Sequence, residues 1–78
     1  MSEFHPHGPF SPDRYVLEIF STQAARRGAV VRRKIRDIER YVGRDAFLRE
    51  VERRGYHAIE NAGQFIIFCN NEPIRVLF

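Results

Sequence analysis

The stretch AARRGAVVRRKIRDIERYVGR, residues 24–44, carries eight cations and only two carboxylates. Arg26, Arg33 and Arg40 recur every seventh residue, which on a helix is two turns, about 10.5 Å, between guanidinium groups in one line. Arg36 flanks that line. Arg32 and Arg36, and Arg36 and Arg40, are four apart, and like charges at that spacing repel by a few tenths of a kcal/mol. A polyanion would relieve the repulsion, and arginine forks onto phosphate oxygens in a way lysine does not. The chemistry to test is therefore the gripping of a nucleic-acid backbone by Arg26, Arg33, Arg36 and Arg40. The competing reading is a solvated outer face whose arginines pair with Asp37 and Glu39. Charge is polarised along the chain: residues 26–54 hold eleven cations and five carboxylates, a net +6, and the rest nets −3, for a total of +3. Twelve of the thirteen cations are arginine.

Other reactive types give less. His5, His7 and His57 lack the spacing of a metal site, and a lone Cys69 supplies neither a disulfide nor a C-x-x-C pair. No nucleophile motif, Gly-rich phosphate loop or dinucleotide fingerprint is present. Glu18 and Glu60 are the best carboxylates for acid or base work, but each reads as an outward strand residue. No cofactor, no metal and no catalytic residue is expected. No apolar run is long enough to cross a bilayer and no signal-peptide pattern opens the chain, so cytoplasmic residence without a membrane partner is expected.

The elements that must position these groups follow from length and periodicity. Seventy-eight residues with ten aromatics allow one small domain with a packed core. The Pro- and His-rich opening, MSEFHPHGPFSP, reads as a flexible arm over residues 1–13, leaving a single domain over 14–78. RYVLEIF, 14–20, reads as a strand, although Ser11-Pro12 would also serve as a helix start. A helix is predicted next, capped by Ser21 or Thr22. Its apolar stripe is Ala24, Gly28, Val31, Ile35, Ile38 and Val42, with Gly28 placed for close approach to another backbone. Phe47, Leu48 and Val51 then fall out of phase, so a break near Gly43 and a second helix over 44–54 are inferred, ended by Gly55. A helix-turn-helix around Gly43 is disfavoured, because it would bury Glu39 and Arg49 between its helices at several kcal/mol. Three strands close the chain, 56–60, 64–70 and 73–78, with turns at 61–63 and 70–73. On the middle strand both faces are apolar: Phe65, Ile67 and Cys69 on one, Ile66 and Phe68 on the other. The second face thus calls for a cover, either Phe4 and Phe10 of the arm or another subunit. The resulting fold class is α+β, a two-layer β-α-α-β-β-β with two helices on a small, mainly antiparallel sheet.

The segment RRGYHAIENAGQFIIF, 53–68, resembles the helix end and hairpin of HicA-type toxins. Those are small mRNA-cleaving proteins with a double-stranded-RNA-binding-like fold, in which a Gly-aromatic pair ends a helix and a turn leads into a strand bearing a catalytic histidine. This chain has Phe65 at that place, so the resemblance carries no activity over. The residues themselves point to a small non-enzymatic interaction or regulatory module. Its partner would be an unknown protein or a second copy, met through the sheet at Ile66, Phe68 and Leu77, the last in a terminal strand with an open edge. The alternative is a nucleic-acid-binding protein using the arginine-rich first helix.

Overall fold

The computed structural model describes residues 12–78. The expected arm lies outside that range for residues 1–11, as do its histidines and the proposed covering role of Phe4 and Phe10. Pro12 and Asp13, expected in the arm, already belong to a helix.

That helix, α1 (Pro12–Phe20), replaces the strand expected over 14–20. Proline at the first helical position has no N–H to leave unpaired, and Asp13 in the first turn suits the positive end of the helix dipole. Helical spacing buries Val16 and Ile19 together. It also lets Arg14 pair with Glu18 at 3.6 Å one turn on. As a strand the same residues would have set Glu18 between Val16 and Phe20 on one face.

The long helix expected over 22–42 is interrupted. Thr22 caps α2 (Gln23–Arg26), its hydroxyl accepting from the Ala25 N–H at 3.3 Å. Gly28, at φ +77°, then stops the helix. Its N–H donates to the Ala25 carbonyl at 3.0 Å and that of Ala29 to the Ala24 carbonyl at 2.9 Å, the paired bonds of a Schellman ending. The chain leaves as β1 (Val30–Lys34) and only afterwards coils into α3 (Ile35–Tyr41). The inward residues foreseen for one helix are still inward: Val31 and Ile38 are buried, and Ala24, Ile35 and Val42 pack on the core. The close approach expected of Gly28 is present as well, since a Cβ there would sit 3.4 Å from the Cys69 carbonyl oxygen.

The break at Gly43 stands, at φ +97°, and α4 (Arg44–Arg53) follows at once. Gly55 ends α4 at φ +76°, with the Tyr56 N–H donating to the Val51 carbonyl at 3.1 Å. Val42-Gly43 joins α3 to α4, but not in the packing of a helix-turn-helix, which would set Glu39 and Arg49 between the two helices. Ile38 of α3 and Phe47 and Val51 of α4 are the buried residues, while Glu39 and Arg49 are exposed. With so short a turn, the inward phase of α4 begins at Phe47, which turns Arg49 outward.

Strands β2 (His57–Asn61) and β3 (Gln64–Phe68) form a hairpin with Asn61 opposite Gln64. Its two turn residues, Ala62 and Gly63, both have positive φ, +51° and +76°, as a tight hairpin that matches strand twist requires. The sheet is antiparallel with order β1-β3-β2. No strand forms over 73–78, where one was expected; residues 71–78 run exposed beyond the sheet. The class is α+β, with four helices and three strands among the described residues. The core lies between the helices and the sheet face bearing Phe65, Ile67 and Cys69. Phe47 sits at its centre, stacked at 6.0 Å on Phe20 and 5.7 Å on Phe65. No helix among the described residues is long and apolar enough to cross a membrane.

Candidate nucleic-acid interface

The four arginines expected on one helix face stand on three elements. Arg26 ends α2, Arg33 is in β1, and Arg36 and Arg40 lie one turn apart on α3. The strand brings three of them to one side of the molecule. Arg33 shares the core-facing side of β1 with Val31 and is half-buried, close enough to α1 for its charge to act on Tyr15. There Tyr15 of α1 meets Tyr41 of α3, ring centroids 5.1 Å apart. The Arg40 guanidinium lies 5.6 Å over the Tyr41 ring, within the range of a cation–π contact. Burial, followed by the charge of Asp37, raises the Tyr15 phenol above its ordinary pKa, and Arg33 opposes that shift. Arg36 completes the group through Asp37, at 3.8 Å. Arg26 has no side-chain bond or ring contact to this cluster among the described residues. A strand over 14–20 gives Tyr15 no place beside the arginines. The signal that could have found it is the Ser-Pro helix start.

Ion pairing separates this side from the rest. On α4, Arg44 donates to Glu60 at 2.6 Å and lies 3.8 Å from Glu39. Arg53 and Arg54 both donate to Glu50, at 2.8 and 2.6 Å. These two hydrogen bonds hold the Glu50 carboxyl at a pKa of about 2. By contrast Arg26, Arg27, Arg32, Arg33, Lys34 and Arg40 have no carboxylate partner among the described residues. A helix-turn-helix reads DNA with its second helix. Here that helix exposes Asp45 and Glu52 beside Arg49, and its N-terminal Arg44 is held by carboxylates. Apart from Arg49, the unpaired cations of the helices and strands are those of α2, its C-cap, β1 and α3.

The sheet's outer face carries the other predicted surface. Ile66 and Phe68 lie there half-buried, in cross-strand rows with the exposed Val30 and Ile59. Leu77 is 76 % exposed on the terminal segment, away from any strand.

Groups considered for catalysis do not assemble. Glu18 is paired with Arg14, and Glu60 with Arg44. His57 is half-buried with no hydrogen-bond partner at Nε2. Burial raises the Cys69 thiol above its usual pKa, which disfavours the thiolate. No three His, Cys, Asp or Glu side chains among the described residues are grouped to hold a metal. No family model, curated protein or solved structure matches the chain. In the segment resembling HicA-type toxins, Phe65 is a buried core residue.

Proposed function

We propose that the protein is a non-enzymatic module that binds nucleic acid through the α1–β1–α3 side, with Arg33, Arg36 and Arg40 on phosphate oxygens. The observation carrying this reading is the split in ion pairing. Carboxylates hold Arg44, Arg53 and Arg54 around α4 and leave Arg49, whereas six of the seven cations between residues 26 and 40 have none among the described residues, a distribution suited to a polyanion rather than to internal salt bridges. Phosphate contacts of this kind supply affinity and register but little sequence choice, so binding should be broad across sequences. The same reading expects a cytoplasmic protein. A second reading, self-association through the sheet and the terminal segment, is supported by the exposed apolar residues there.

Fluorescence anisotropy of labelled single- and double-stranded oligonucleotides, measured across a salt series, tests the first reading. The affinity should fall steeply with salt as counterions are released. Arg33→Glu with Arg40→Glu should abolish binding at near-physiological salt. A milder Arg33→Gln with Arg40→Gln should reduce the slope of log K against log salt by about 1.4–1.8, two phosphate contacts' worth. Arg53→Glu, on the paired α4 side, should leave binding nearly intact. No binding at low salt, or equal affinity for wild type and the double glutamate variant, would sink the reading.

A further inference from the structure

The last eight residues, NEPIRVLF, pose a problem the monomer leaves unsolved. Residues 71–78 are all exposed, and among them Val76 is 80 % exposed and Phe78 fully so. Apart from the Glu72 N–H donating to Asn70 Oδ1 at 3.0 Å, no hydrogen bond among the described residues engages residues 71–78. The sequence alternates as a strand does, with Ile74, Val76 and Phe78 on one side and Arg75 and Leu77 on the other. A strand-patterned apolar segment with no partner among the described residues suits an interface.

The other half is on the same chain. In the order β1-β3-β2 the far edge of β2 has no strand beside it among the described residues, so its N–H and C=O groups offer a template for one more strand. Beside that edge, between α4 and β2, lies an open groove lined by Leu48, Val51, Glu52, Tyr56 and Ala58. Leu48, Tyr56 and Ala58 are only partly buried. Glu52 has no ion-pair partner among the described residues, and neither does Arg75 of the tail.

We propose that residues 73–78 add as a fourth strand to the β2 edge of a second copy of this chain, the two copies exchanging tails. In that pairing Leu77 enters the groove against Leu48 and Ala58, and Arg75 meets Glu52. The opposite side of the tail, Ile74, Val76 and Phe78, continues the outer apolar rows of Ile59, Ile66 and Phe68. A second copy is the occupant because each chain presents one complementary tail and, of its two unpaired sheet edges, β1 and β2, the latter borders the groove that suits that tail, which its own tail leaves unoccupied. Reciprocal exchange closes the pair with two identical contacts, as a two-fold dimer requires. Backbone pairing with side-chain pockets at alternate positions is an established mode of strand addition. The proposal stands apart from the nucleic-acid reading and shares none of its residues.

Sedimentation velocity on the full chain, from about 10 μM to about 1 mM, gives the test, since such an assembly depends on concentration. A dimer is expected, and a chain ending at Glu72 should keep its circular dichroism spectrum yet remain monomeric. Leu77→Asp should weaken dimerisation about tenfold or more. Glu52→Arg and Arg75→Glu should each weaken it, and the two together should restore it. A full chain that stays monomeric at the highest concentration, with or without exchange-protected tail amides, overturns the proposal. So does a dimer that survives the truncation, which would assign the contact to the N-terminal segment or the outer sheet face, and so does a charge-swapped pair without rescue.

Discussion

Replacing Gly28 with alanine separates the two architectures that this chain's central segment suggests. In an unbroken helix, Gly→Ala adds about 1 kcal/mol of stability. Gly28 instead sits at φ +77°, where an L-residue with a Cβ is less stable by about 1–2 kcal/mol. Alanine also restricts the unfolded chain, which offsets about 0.4–1 kcal/mol of that. The added methyl would meet the Cys69 carbonyl oxygen at 3.4 Å and the Asn70 Cβ at 3.7 Å. Asn70 has little room to retreat, because its Nδ2 donates to the Gly28 carbonyl at 2.9 Å. The expected net change is a loss of about 1 kcal/mol, opposite in sign to the helical case. For a domain of this size that lowers Tm by about 4–8 °C. Thermal and urea unfolding followed by circular dichroism would measure it. Gly63→Ala is the control: φ is +76° and nothing lies within 4 Å of the added Cβ, so it reports the backbone contribution alone. Gly28→Ala should be at least as damaging as Gly63→Ala. A rise in Tm for Gly28→Ala would refute the strand insertion at Val30–Lys34 and restore the continuous helix.

Two further outcomes follow from particular geometries. Ala62, the first turn residue of the β2–β3 hairpin, holds φ +51°, a conformation asparagine tolerates better. Ala62→Asn should therefore raise Tm by a few degrees, and a fall would mean the turn has another form. The Glu50 carboxyl is depressed to about 2 by hydrogen bonds from Arg53 and then Arg54. A folded pKa below the unfolded one contributes stability that is complete above about pH 4.5 and is lost as the pH falls toward 2. Urea midpoints of wild type and Glu50→Gln should differ at pH 6 and converge near pH 2. Added salt should shrink the difference, because the group is partly exposed. A gap that widens on acidification would contradict the assigned pairing.

Local signals in the chain were enough for the second half of the fold. Phe47, Leu48 and Val51 out of phase with Ile38 and Val42 announced the break at Gly43. Gly55 announced the end of α4, and the glycine turn announced the hairpin, because each depends on residues a few positions apart. The class α+β and the buried set followed from the same patterns. What the sequence could not decide was the state of residues 14–20 and 28–34. The first segment has strand-like residue types, but only the core made by Ile38 and Phe47 rewards the helical spacing of Val16 and Ile19. The second has a helix-compatible stripe because residues 24 and 31, and 31 and 38, are seven apart, a spacing that the inserted strand also satisfies with Val31 inward. Pairing with β3, thirty or more residues later, decided for the strand, and no local pattern encodes a partner so distant. The same distance decided the site. The sequence determined that this segment would be rich in arginine; folding determined that Arg33 and Arg40 would flank a tyrosine pair while Arg26 stood apart. It also determined which arginines would keep a carboxylate: Glu60, drawn from a strand, holds Arg44, whereas the cations of β1 have none among the described residues. Ion pairs between remote elements exist only once the chain has been folded back on itself, which is why the charge count was legible in the sequence and the availability of those charges was not.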